Sequence, residues 1–225
     1  LGQHPLEAGV VFLNRRHGLI HQDTDLGVFG SAPQERPARF GRHPENALGA
    51  AALLLGGEEL VATIDRSCTR YHEIQDVWRS DRDIYVRTAE DRFASDMGYY
   101  KTMADSIGDF LSKNNMTIAD FAKAALYSPN QRQLSRLSRA LGFSESQVED
   151  VLHKQVGNTG SAMSLMCLVS ALEQAGRSER IMLAGYGNGC DVFVMTATDS
   201  INRMADRRGI KKHLSSKSML TPYSR

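Results

Sequence analysis

Apolar positions fall along this chain in short runs with two different periods. Residues 47–55 form an apolar run closed by Gly56-Gly57, and Leu60-Val-Ala-Thr-Ile-Asp65 follows. Their length and flanking glycines predict two buried strands joined by a tight turn. From 97 to 111 the spacing turns helical, with Met97, Tyr100, Met103, Ile107, Phe110 and Leu111 on one stripe. Lys113-Asn-Asn ends that helix, and Thr117-x-x-Asp120 reads as the cap of a short one. Residues 121–127 read as a strand broken by Ser128-Pro129-Asn130. Residues 131–141 are amphipathic and stop at Gly142, a natural left-handed residue after a helix. Ser144-x-x-Gln147 is a second capping box, for a helix through Leu152. Residues 160–175 are Ala, Ser, Met and Leu almost all round, which predicts a buried helix. Residues 181–184 and 192–196 read as strands flanking a glycine turn, and a helix near 199–207 closes the pattern. Residues 22–46 are rich in Gly, Pro, Asp and Arg and read as loop, and 66–95 as a long polar surface excursion. The sum is an α/β chain with mixed strand pairing, a layered sandwich with helices inside as well as outside.

Composition narrows the function classes. At 225 residues and 24.9 kDa, with 41% hydrophobic and 24% charged residues, the chain is an ordinary globular protein of one or two domains. A net charge of +1 gives no polyanion signature, so no nucleic-acid partner is expected. Charge is uneven, however: residues 203–225 hold seven Lys/Arg against Asp206 alone. Such a stretch is either a solvated tail, a helix on an acidic neighbour, or a contact for the phosphates of a nucleotide-bearing ligand. Cys68, Cys167 and Cys190 are scattered, without CxxC or metal spacing, and no histidine pair has ligand spacing on one element. That fits a reducing cytoplasm and no metal site. The longest apolar run is too short to span a membrane, and the first residues lack the pattern of a secretory leader.

Two features carry candidate chemistry. Gly157-Asn158-Thr159 sits at the mouth of the buried helix, and Gly185-Tyr-Gly-Asn-Gly189 at a strand end. An Asn amide and a glycine-lined backbone are parts that can converge on one acyl carbonyl. The simpler alternatives stay open: Asn158 as a helix cap, the glycines as a hairpin turn, and Tyr127 as a core aromatic.

Taken together, Gly49-Ala-Ala-Ala-Leu-Leu-Leu-Gly56, Tyr127-Ser-Pro-Asn130, Gly157-Asn-Thr159 and Gly185-Tyr-Gly-Asn-Gly189 resemble the C-terminal half of the thiolase superfamily. Within it they look like the hydroxymethylglutaryl-CoA synthases of archaeal type and the related initiating β-ketoacyl synthases. Asp206-Arg-Arg-Gly-Ile-Lys through Lys217-Ser-Met-Leu looks like the end of the archaeal-type branch. The resemblance implies a layered αβαβα sandwich, here mostly its C-terminal half, completed by a partner chain. On that reading 1–46 is an irregular remnant of, or link to, the N-terminal half, 47–205 the thiolase-like domain, and 206–225 a basic tail. It implies catalytic roles for Asn158 and Tyr127, and substrate-binding roles for Asn130, Gly185, Gly187 and Gly189. It implies no cofactor beyond acyl-CoA as substrate.

The chain also departs from the pattern. Tyr127 stands where the family has an acid/base His, and a phenol with a pKa of ~10 is a hydrogen-bond donor rather than a base. The nucleophilic Cys should fall near Gln3, where there is none, and the family's Glu has no counterpart. Cys167 lies among apolar residues, Cys68 in a polar stretch, and only Cys190 is near the supposed site. Two functions follow. The first is a subunit of an acyl-CoA condensing or cleaving acyltransferase. It would assemble with a chain that carries a thiolase half or the catalytic Cys, and with a zinc-bearing accessory subunit. The second is a non-catalytic, degenerate thiolase-fold subunit that scaffolds a partner enzyme. A Tyr-dependent, aldolase-like retro-condensation is a third reading that Tyr127 alone suggests.

Overall fold

The computed structural model describes residues 49–57, 59–148, 151–206 and 209–216. Its centre is a four-stranded sheet in the order β1-β6-β5-β4, made of β1 (Ala62–Tyr71), β4 (Lys123–Leu126), β5 (Arg180–Gly187) and β6 (Gly189–Ala197). β5 and β6 are an antiparallel hairpin about Asn188, β1 pairs antiparallel with β6, and β4 runs parallel to β5. Two short strands, β2 (Val77–Trp78) and β3 (Arg87–Thr88), pair apart from it.

Strand alternation divides the core into two faces. Ile181 and Leu183 point to one side of β5, Met182 and Ala184 to the other. On the first side lies α5 (Ala162–Leu172), with Met163, Leu168, Ala171 and Leu172 fully buried, flanked by α4 (Val151–Gln155) and α6 (Ile210–Ser215). On the second lie α2 (Lys101–Lys113), with Met103, Ile107 and Phe110 turned inward, and α3 (Gln131–Leu141), with Leu134 and Leu137. The described residues therefore make three layers, helices–sheet–helices.

Several elements follow the sequence expectation. The Thr117 and Asp120 capping box is present before a 3-10 turn at Ile118–Asp120. Helix α3 runs from Gln131 to Leu141 and ends on Gly142 at φ 88°. Gln147 meets Ser144 as expected, but residues 144–148 form a turn and a bridge rather than a helix, and the Gln147 Nε2 donates to the Ile118 and Phe121 carbonyls.

Others differ. Residues 49–55 form no strand; the segment lies along α5, with Ala51 and Leu53 against its cluster. An apolar run becomes a strand only with a ladder partner, and among the described residues none lies beside it. The next strand begins at Ala62 and runs to Tyr71, through residues expected to be surface loop. Before α2 stand a single turn, α1 (Asp91–Phe93), and a π-helical turn, Ala94–Tyr100. The extra residue of a π turn rotates the inward face. Tyr99 is buried and Met97 is 46% exposed, the reverse of the expected stripe. The last expected helix is a 3-10 stretch, Asp199–Asp206. Beyond it α6, inside the segment read as a basic tail, docks through buried Ile210 while the Lys211 N–H donates to Glu173. The place near Gln3 lies outside the described residues.

Candidate functional site at the ends of strands β4 and β5

β4 and β5 end together. The Tyr127 N–H donates to the Ala184 carbonyl at 2.8 Å, which continues the Leu126–Ala184 register and sets Tyr127 beside Gly185. After Tyr127 the buried Ser128 hydroxyl donates to the Asn130 carbonyl at 2.9 Å, and the chain turns into α3.

The 157–160 turn arrives from the α5 side. Gly157 and Gly160 have φ of 93° and 62°, a left-handed backbone that glycine adopts without strain. Asn158 Oδ1 accepts from the Gly160 N–H at 2.9 Å, closing a local turn one step ahead of α5. Its side chain also lies near the Tyr127 hydroxyl and eases ionisation of that phenol. Asn158 does not cap α5, whose first turn is preceded by Ser161. The Asn158 oxygen closes the turn, and its side chain stands beside Tyr127. Burial, the larger effect, pushes the Tyr127 hydroxyl above the ordinary phenol range, with a smaller push from the Asp76 carboxylate. Tyr127 is held protonated, a donor.

The other expected residues separate. Gly185 is at the site: a Cβ there would have only Ser164 Oγ near it, at 3.9 Å. Gly187, at the hairpin end, would meet nothing within 4 Å. Gly189 belongs to the sheet instead: its φ is 141°, and a Cβ would stand 2.0 Å from the Arg70 carbonyl oxygen of β1. The Asn130 side chain caps α3 through the Gln133 N–H at 3.0 Å, so its oxygen is engaged in the helix start.

None of the three thiols is placed as a nucleophile here. Cys190 is buried, with its thiol against Met103 sulfur at 3.4 Å, and burial pushes its pKa up to about 12. Cys167 is buried in α5, and Cys68 is exposed on β1, an edge strand of the sheet. Among the described residues no group of three His, Cys, Asp or Glu could hold a metal, and no helix is long and apolar enough to cross a membrane. Two surface grooves, about 470 and 400 Å³, open elsewhere, near Lys123 and Lys211 and near Asp120 and Arg180; Tyr127, Asn158 and Gly185 line neither.

The sequence reading missed Tyr99, Tyr186 and Asp76. Tyr186 and Tyr127 stack with ring centroids 6.3 Å apart and planes at 19°, and Tyr99 meets both edge-on. The Tyr186 hydroxyl donates to Asp76 Oδ2 at 3.2 Å. Tyr186 lay inside the quoted glycine motif; Asp76 had no signal of its own within a polar stretch.

Residues 111–198 match the family described as 3-Oxoacyl-[acyl-carrier-protein (ACP)] synthase III C terminal. The hydroxymethylglutaryl-CoA synthase of Methanopyrus kandleri is 30% identical over 196 residues, which is 85% of this chain and 53% of that protein. That of Methanosphaera stadtmanae is 27% identical over 213 residues, 93% of this chain and 59% of that protein. Among solved structures, an HMG-CoA synthase complexed with CoA superposes with a TM-score of 0.59 at 16% identity, covering 73% of this chain and 46% of that one. The 3-oxoacyl-[acyl-carrier-protein] synthase III of Aquifex aeolicus VF5 gives 0.55 at 16% identity, covering 64% and 48%. The chain is similar to the hydroxymethylglutaryl-CoA synthases in sequence and shares the fold of these condensing enzymes. It spans about half the length of the curated relatives it matches. In this thiolase-type frame, Tyr127 and Asn158 are contributed by β4 and the turn before α5, one from each side of the junction at Gly185.

Proposed function

We propose that this chain is a subunit of an acyl-CoA condensing or cleaving acyltransferase in which Asn158 and Tyr127 polarise an acyl carbonyl. The observation that carries the reading is that the Asn158 side chain and the Tyr127 hydroxyl lie near one another, beside Gly185 with its open Cβ side. Two donors, an amide and a protonated phenol, suit a thioester oxyanion, where each preorganised donor is worth roughly 3 kcal/mol. In the step envisaged, a partner's thiolate attacks the acyl-CoA carbonyl. The C=O electron pair moves onto oxygen between the two donors, then returns as the CoA thiolate leaves. Gly185 and Gly187 border the acyl group, and Asn130 supports the turn. The similarity to hydroxymethylglutaryl-CoA synthases points to acyl-CoA as substrate, with no resident cofactor. The nucleophile comes from a second chain carrying a thiolase half or catalytic Cys, with a zinc-bearing accessory subunit and a cytoplasmic setting completing the reading.

A specific observation favours the second reading, a non-catalytic subunit that scaffolds a catalytic partner. Tyr127 occupies the acid/base position, and the thiol of Cys190 is protonated at neutral pH. One experiment separates the two. The chain, alone and with its co-purified partner, is incubated with acetyl-CoA and followed by intact mass and turnover. Turnover by the assembly that falls about a hundredfold in Asn158→Ala supports the acyltransferase. Unchanged turnover leaves the scaffold.

A further inference from the structure

The segment 72–76 brings a carboxylate to this site from a stretch that reads as polar surface, and it is anchored firmly. The His72 N–H donates to the Asn188 carbonyl at 3.1 Å, and His72 Nδ1 lies 2.6 Å from the Thr102 hydroxyl. The Ala89 N–H donates to the Asp76 carbonyl at 2.8 Å. So held, Asp76 accepts from the Tyr186 hydroxyl. The π-helical turn presents Gly98 to the same place, where a Cβ would stand 3.0 Å from the Tyr186 Oη and 3.5 Å from Ile74 Cγ2. Any side chain there would crowd that oxygen. The three tyrosine hydroxyls take three different partners. Tyr99 donates to the Tyr127 carbonyl at 2.9 Å, Tyr186 donates to Asp76, and the Tyr127 hydroxyl lies near the Asn158 side chain.

We propose that Asp76 is a positioning residue for the Tyr127 hydroxyl, acting through Tyr186: the carboxylate pins the Tyr186 hydroxyl in the space left by Gly98, and the pinned ring, stacked on Tyr127, fixes the Tyr127 hydroxyl against the Asn158 amide. The proposal rests on the acyl-carbonyl reading for its catalytic meaning, but the geometry it describes stands without it. The carboxylate has a second effect. Its charge adds to burial in holding both phenols protonated, so the donor at Tyr127 persists above the ordinary phenol range. The titratable groups facing the two rings are Asp76 from the anchored segment, Tyr99 from the π turn and Cys190 opposite Tyr186 in the β5–β6 register.

The test uses the full chain with 3,5-difluorotyrosine, a more acidic phenol, at position 127, followed by ¹⁹F NMR over pH. In Asp76→Asn the titration of residue 127 shifts to lower pH and its resonance moves or broadens, and Asp76→Glu restores the shift. Gly98→Ala crowds the Tyr186 hydroxyl and perturbs the same resonance while α2 keeps its circular dichroism. In the assembled enzyme Asp76→Asn lowers kcat with KM unchanged. Fluorine titrations that superimpose in Asp76→Asn and the parent overturn the positioning role. Loss of the fluorine effect is distinct from failure of the acyltransferase reading, which would show as full turnover in Asn158→Ala and Tyr127→Phe with the fluorine shift intact.

Discussion

Asn158 closes a turn with its oxygen and influences Tyr127 with the same side chain, and a pair of substitutions separates the two effects. Asn158→Asp keeps an oxygen for the Gly160 N–H but loses the amide N–H beside Tyr127; Asn158→Ala loses both. The alanine variant is expected to cost about 1 kcal/mol of stability for the lost turn bond. The aspartate variant should nearly keep stability, lose turnover as severely as alanine, and raise the Tyr127 pKa through its new charge; paired denaturation and turnover measurements check this. Asn130→Ala should do the converse, with a loss of about 1 kcal/mol from the cap of α3 and little change in turnover. Cys190 supplies the pH prediction. Its folded-state pKa of about 12 lies above the ordinary 9.0, so the folded chain holds the proton more tightly. That contribution to stability is complete below pH 9 and is lost as pH rises towards 12. Unfolding followed across that window should show a steeper alkaline fall in the parent than in Cys190→Ala, and iodoacetamide at neutral pH should label Cys68 and spare Cys190.

At the scale of elements, local rules were legible wherever the determinant was local. The α3 boundaries could be read because Asn130 and Gly142 are caps with sequence signatures, and α5 because an all-round apolar helix has nowhere to go but inside. The π turn was not legible, because the residue it inserts changes no propensity, only which of Met97 and Tyr99 faces in. The glycine hairpin shows why one motif held two roles. Gly185 and Gly187 sit by open space, whereas Gly189 combines a φ of 141° with the Arg70 carbonyl 2.0 Å from where a Cβ would be. Gly187→Ala is therefore expected to be nearly neutral in thermal denaturation. Gly189→Ala should cost on the order of 3 kcal/mol and loosen β1 from β6, seen as faster amide exchange along 66–71.

At the scale of the whole molecule, the order of four motifs along the chain pointed to its relatives among the hydroxymethylglutaryl-CoA synthases and to the fold it shares with them, since ancestry survives in spacing after individual residues have changed. What it did not give was the state of residues 49–55, because whether an apolar run becomes a strand depends on what lies beside it. Here Ala51 and Leu53 turn towards α5 while Ala50 and Ala52 face outward, and Leu55 is 58% exposed. At its start the segment touches the site: a Cβ on Gly49 would stand 2.7 Å from Thr159 Cγ2 and 2.9 Å from Met166 sulfur. Thr159 follows Asn158, so whatever seats this segment also steadies the turn that carries the amide. If a second chain completes the sandwich as proposed, the outward alanines are where its backbone can approach, and the segment becomes a strand on assembly. Ala52→Asp places a charge on an exposed position, so the isolated chain should keep its Tm within about 1 °C, as surface substitutions generally do. In the assembly that same charge would be buried without a partner, and binding should weaken at least tenfold in native mass spectrometry or titration calorimetry. Gly49→Ala acts at the other end of the same lever: it should lower turnover by displacing Thr159 while assembly persists. Equal binding by Ala52→Asp and the parent would mean that the partner docks on another face.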